Sequence, residues 1–132
     1  MAKYLLDTDI CISMFKDKHG VREKIMDVSP KRCFVSEITI AELFYGAAKS
    51  GREEHFEDVD HVIKLFKVLP VYPALNFYGR LKADLERKGQ RLDDFDLLIA
   101  STAIVNNMVM VTSNSRHFGR IEDIVLEDWR KL

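Results

Sequence analysis

The apolar residues of this chain come in very short runs, and nothing else in the sequence restricts its fold so much. Lys3–Leu6, Cys33–Val35, Lys67–Val71 and Met108–Val111 are each only a few residues long, and a weaker fifth run follows at Ile124–Leu126. Inside them the apolar residues are nearly continuous instead of alternating with polar ones, as expected of parallel strands covered on both faces. The stretches between them carry helical spacing: Ile10–Lys16, Val21–Val28, Glu37–Lys49, Arg52–Phe66, Leu75–Lys88 and Asp94–Asn107. Ile38, Ala41, Tyr45 and Ala48 share one face of the third, Phe56, Val59, Ile63 and Phe66 one face of the fourth, and Leu75, Tyr78, Leu81 and Leu85 one face of the fifth. The sixth is apolar over so wide an arc that it should be central. Strands alternating with helices imply an α/β fold, a parallel sheet with helices on both sides.

The 132 residues fit one domain, 1–132. With 47% hydrophobic and 31% charged residues the composition is that of a globular protein, which argues against disorder. No apolar run approaches the ~18–20 residues of a membrane span. MAKYLLDTD carries no signal-peptide pattern, so the expectation is a cytoplasmic protein with no membrane partner. Cys11 and Cys33 lie in apolar stretches and read as buried free thiols. The balance of 20 Lys and Arg against 21 Asp and Glu excludes a generally basic nucleic-acid coat. It does not exclude a nucleic-acid enzyme, whose catalytic acids would cancel a local basic surface. Arg80, Lys82, Arg87, Lys88 and Arg91, and then Arg116 and Arg120, are candidates for such a surface, with solvated helix faces as the plainer reading.

The placement of the acids carries the functional signal. Asp7 ends the first strand, and Thr8 and Asp9 lead into the first helix. Thr112 and Asn114 end the fourth strand. In open parallel sheets, sites form outside the carboxyl ends of the strands, where strand order reverses. If the first and fourth strands are neighbours, Asp7 and Thr112–Asn114 share that crevice. Asp96 falls in the first turn of the buried sixth helix, where a carboxylate is favoured by the helix dipole. Glu42 is an anomaly, set among Ile38, Ile40, Ala41, Leu43, Phe44 and Tyr45. It either occupies a narrow exposed stripe or faces an internal polar site, because burying an unpaired carboxylate costs several kcal/mol. Asp7, Glu42 and Asp96, with Asp9 and Asn114 nearby, would form an all-oxygen set suited to Mg²⁺ or Mn²⁺, and so to phosphodiester hydrolysis. Carboxylates so close together should titrate at raised, coupled pKa values.

At this point four segments resemble one family: LLDTDICI, SEITIAELFYGAAKSG, RLDDFDLLIASTAI and MVMVTSNSRHFGRIEDIVLEDW. In order and spacing they are similar to the PIN-domain ribonucleases, and specifically to the VapC toxins of type II (VapBC) toxin–antitoxin modules. The resemblance implies a three-layer α/β/α fold with a mostly parallel five-stranded sheet in the order 3-2-1-4-5. It implies catalytic roles for Asp7, Glu42, Asp96 and Asn114, with Asp7, Glu42 and Asp96 as metal ligands and Thr8, Asp9 and Thr112 supporting them. Asp9 departs from the commonest pattern, where Asn stands. The implied activity is Mg²⁺- or Mn²⁺-dependent endonucleolytic cleavage of structured RNA, initiator tRNA or another tRNA or ribosomal RNA loop, which stops translation. The implied partners are a VapB-type antitoxin laid along a groove, a second copy of the toxin, and operator DNA only indirectly through the antitoxin.

Other readings stand beside this one. Asp7-Thr8-Asp9 also resembles the DxD of aspartate-nucleophile phosphatases, although Cys11 stands where those enzymes usually carry Thr. A catalytically idle module that binds RNA or a partner is the other alternative. Residue by residue, Asp7 could be a helix cap, Asp93 and Asp94 read better as cap and solvated acids, and Ser113-Asn114 could be only a turn. His19, His55, His61 and His117 are scattered and read as surface residues, and Trp129 with Phe118 as packing for the C-terminal segment.

Overall fold

A computed structural model of the chain describes residues 1–131. Five parallel strands, β1 (Tyr4–Leu6), β2 (Cys33–Ser36), β3 (Lys67–Leu69), β4 (Val109–Val111) and β5 (Leu126–Glu127), form one sheet in the order β3-β2-β1-β4-β5. Seven helices join them: α1 (Thr8–Phe15), α2 (Val21–Val28), α3 (Glu37–Ser50), α4 (Glu53–Leu65), α5 (Leu75–Arg87), α6 (Asp94–Val105) and the single turn α7 (Ser115–Phe118). This is the three-layer α/β/α architecture that the resemblance implied. Strand side chains alternate between the two faces, so the sheet divides the core in two. Leu6, Cys33, Val35 and Val111 pack with residues of α1, α2, α3 and α4 on one side. Leu5 and Met110 pack with residues of α5, α6 and α7 on the other. Both cysteines are free and buried. No helix among the described residues is long and apolar enough to cross a membrane.

Local chemistry sets the element ends. The Asp7 carboxylate accepts from Thr8 N at 2.8 Å and starts α1 two residues earlier than spacing alone suggested. Ser36 Oγ accepts from Ile38 N at 3.0 Å, and Asp93 from Phe95 N at 3.1 Å, capping α3 and α6. β3 stops at Leu69 instead of running to Val71, because Pro70 has no N–H to give to a ladder. β5 begins at Leu126, later than the expected Ile124.

Some expected packing faces are corrected. On α3 the buried residues are Thr39, Leu43 and Ala47, while Ala41, Tyr45 and Ala48 face solvent. Both stripes have helical spacing; only the sheet decides which turns inward. On α4, Val62 is fully buried and Ile63 is exposed. On α5, only Leu85 is buried and Leu75 is exposed. The sixth expected helix is central as anticipated, with Leu97, Ile99, Ala100, Ser101, Thr102 and Ala103 all buried.

Candidate active site

β1 is the strand on whose two sides the connections diverge, towards β2 on one side and β4 on the other. Leu6 pairs with Val111, so the next residues, Asp7 and Thr112, stand level at the carboxyl ends of adjacent strands. Asp7 N donates to Val111 O at 2.9 Å. Thr112 Oγ1 donates to Asp7 Oδ2 at 2.9 Å, while Asp7 Oδ1 takes the Thr8 amide. Asp7 is 7% exposed. Burial first, and then the charge of Asp9, push its carboxyl up to about 7, against the pull of its two hydrogen bonds; Asp96 adds a smaller push.

Three further carboxylates border this point. Thr8 Oγ1 donates to Glu42 Oε1 at 2.6 Å, which brings Glu42 to the start of α1, and lies 3.1 Å from Thr39 Oγ1. Glu42 is half-buried and faces this internal polar site; it is not on an open stripe. Asp9 Oδ2 accepts from Ser113 N at 3.1 Å, while Asp9 Oδ1 is buried with no hydrogen-bond partner. Desolvation raises the pKa of Asp9. Asp96, on the first turn of α6, is also raised, by burial first, then by Asp93, with smaller contributions from Glu42 and Asp9. Asn114 lies at the rim, exposed; its N–H donates to Thr112 Oγ1 at 3.0 Å, and its side chain makes no cap to α7. Asp93 serves as a cap, and Asp94 pairs with Lys82 and Tyr78, outside this group.

Two residues here escaped sequence reasoning. His117 is half-buried, not a free surface residue, with Nε2 3.8 Å from Asp96 Oδ2. α7 puts it there, and a helix of four residues leaves no periodicity to read. Arg130 is the other, its guanidinium hydrogen-bonded to the Ser113 carbonyl at 3.3 Å. Its only sequence signal was the acid two positions before it. A groove of about 570 Å³ runs from Glu42 between α1, α3 and α4, lined by Ile12, Phe15, Leu43, Ala47 and Val59.

The donor set suits a hard divalent cation. It is all oxygen, it gathers four acids, and it includes one buried carboxylate oxygen with nothing to accept from. Among the described residues, no three His, Cys, Asp or Glu side chains close on one point as a ready-made cage. That pattern fits Mg²⁺ better than a tight all-protein site, because Mg²⁺ keeps several of its waters.

A family model for the PIN domain matches residues 4–124. The chain belongs to the PIN-domain family. It is 37% identical over 132 residues to the tRNA(fMet)-specific endonuclease VapC of Salmonella typhimurium, covering 98% of this chain and 99% of that one. The DNA-bound VapBC structure from Salmonella typhimurium superposes with a TM-score of 0.90 at 36% identity, over 98% of this chain and 99% of the other. VapBC2 from Rickettsia felis, bound to a DNA fragment from its promoter, superposes with a TM-score of 0.86 at 33% identity, over 96% and 98%. Within the PIN domains the chain is therefore one of the VapC ribonucleases. That membership sets aside the aspartate-nucleophile phosphatase reading.

Proposed function

We propose that the chain, acting as a single PIN domain, is the toxin of a VapBC-type module and a divalent-metal-dependent endoribonuclease whose substrate is a structured RNA, initiator tRNA first among the candidates. The observation that carries this is the gathering of Asp7, Asp9, Glu42 and Asp96 at the carboxyl ends of β1 and β4, with Asp7 pushed to about 7. Like charges packed this way are costly unless a cation shares them. Asp7, Glu42 and Asp96 would hold Mg²⁺ or Mn²⁺, directly or through waters. A bound ion would neutralise charge at the scissile phosphate and lower the pKa of a water so that it can be deprotonated to the attacking hydroxide. Thr112 and the Thr8 amide aim the Asp7 oxygens, and the Thr8 hydroxyl aims Glu42. Asn114, exposed at the rim beside Thr112, is a polar group the RNA can meet.

The groove beside Glu42 suits an extended or helical apolar segment, and a VapB-type antitoxin is the occupant we propose, since the relatives of solved structure are VapBC complexes. On this reading the protein works in the cytoplasm as a homodimer, inhibits translation, and meets operator DNA only through the antitoxin.

The test is cleavage of a purified tRNA pool by the wild type and by Asp7→Asn, with Mg²⁺, Mn²⁺ or EDTA, and with the cut ends mapped. Discrete fragments that vanish in EDTA and in the variant are expected. Cutting that persists in EDTA or in Asp7→Asn would refute the metal site. A folded, metal-loaded protein that leaves tRNA intact but cuts ribosomal RNA would refute the tRNA assignment alone.

A further inference from the structure

The turn Thr112–Asn114 supports both aspartates of the first helix. Its Thr112 hydroxyl donates to Asp7, its Ser113 amide donates to Asp9, and its Asn114 amide donates to the Thr112 hydroxyl oxygen. Backbone bonds hold the turn at both ends, Thr112 N donating to Glu127 O at 3.0 Å and His117 N to Asn114 O at 3.1 Å. Its outward carbonyl, Ser113 O, is taken by Arg130 Nη2 at 3.3 Å.

Arg130 is itself held from three directions. Asp128 grips its guanidinium as a fork, Nε to Oδ1 at 3.1 Å and Nη2 to Oδ2 at 2.8 Å, and also accepts its backbone N–H at 3.0 Å. A fork fixes orientation as well as distance, which a single contact does not. Trp129, the residue before, is 5% exposed, packs edge-on against Tyr4 at 4.9 Å between ring centres, and so ties this segment to β1. Lys131 N, the residue after, donates to His19 O at 2.7 Å.

We infer that Arg130 is a positioning residue for the ribonuclease site, clamping the Thr112–Asn114 turn so that Ser113 and Thr112 keep Asp9 and Asp7 aimed into the crevice. The inference rests on the reading of that crevice given above. Outer partners of metal-holding groups typically contribute about 10–100-fold in metal affinity or rate.

The experiment uses the full chain with Arg130→Ala, Arg130→Lys and Asp128→Asn. Three quantities are read: hydrogen exchange of the Ser113 and Asn114 amides without metal, Mn²⁺ half-saturation, and kcat and KM for RNA. In Arg130→Ala, exchange at Ser113 should rise about 10-fold, Mn²⁺ half-saturation should rise about 10-fold, and kcat should fall about 10-fold with KM unchanged. Arg130→Lys should recover part of each. Asp128→Asn, which keeps the guanidinium but loosens its fork, should show the same changes more weakly, and it carries the test if Arg130→Ala does not fold. Wild-type exchange at Ser113 in Arg130→Ala, or in Asp128→Asn should that be the folded variant, overturns the inference. So does a loss confined to KM that grows with salt, which would make Arg130 a contact to the RNA backbone instead. A wild type that binds no Mn²⁺ and cuts no RNA would sink the metal-nuclease reading, while Ser113 exchange would still decide the role of Arg130.

Discussion

Asp7 has two jobs that look like alternatives from sequence. It is the cap of α1, and it is the most buried acid of the crevice. Both follow from its position one residue past a buried strand, where the chain turns into a helix and the last strand residue is fully covered. An Asp7 carboxyl with a pKa near 7 in the fold and an ordinary 3.8 in the unfolded chain keeps its proton only when folded across the interval between. Unfolding then releases a proton, so stability falls as pH rises from about 4 to about 7 and is level above that. The raised Asp9 and Asp96 act in the same direction. Asp94 and Asp128 are lowered by their cationic partners, and their contribution is lost only at more acid pH, outside this interval. Metal-free protein should therefore melt lower at pH 8 than at pH 5, as read by calorimetry in EDTA. Asp7→Asn should flatten that dependence and raise the melting temperature at pH 8 by roughly 3–10 °C while losing RNA cleavage. A variant less stable than wild type at pH 8 would mean that Asp7 is not the strained acid.

The helices were legible where one signal dominated. α6 is apolar over a wide arc, and Leu97 and Ile99 to Ala103 are buried in accordance with it. Along α3 two apolar stripes compete, and spacing favours the outer one because Thr39, a polar residue, lies on the inward one. The boundary between α3 and α4 is set by Gly51, whose φ of +68° lets the chain reverse after Ser50. A Cβ there would meet no atom within 4 Å, so the cost of a side chain is backbone strain alone. Gly51→Ala should lower stability by about 1 kcal/mol in denaturant titration with the slope unchanged. Asn, which tolerates this conformation better, should cost less.

For the molecule as a whole, the crevice exists only because β1 lies beside β4, whose ends are 105 residues apart at the Thr112–Asp7 hydrogen bond. A cation that binds the folded crevice and not the unfolded chain stabilises by mass action, about 2.7 kcal/mol at a hundredfold excess over Kd. Mg²⁺ or Mn²⁺ should thus raise the melting temperature at pH 8 by several degrees, less at pH 5 where Asp7 is protonated, and not at all in Asp7→Asn. Equal shifts at both pH values and in the variant would place the ion elsewhere. By itself the sequence determined the five strands and six of the seven helices, their order, the acids at strand and helix ends, and the family they resemble, since short apolar runs, spacing and capping are local properties. The tertiary structure alone decided which stripe of α3 turned inward, that Glu42 is reached by the Thr8 hydroxyl, and that His117 and Arg130 border the acids. Each of these depends on strand register and on segments distant in the chain meeting in space, and no local pattern of residues encodes such a meeting.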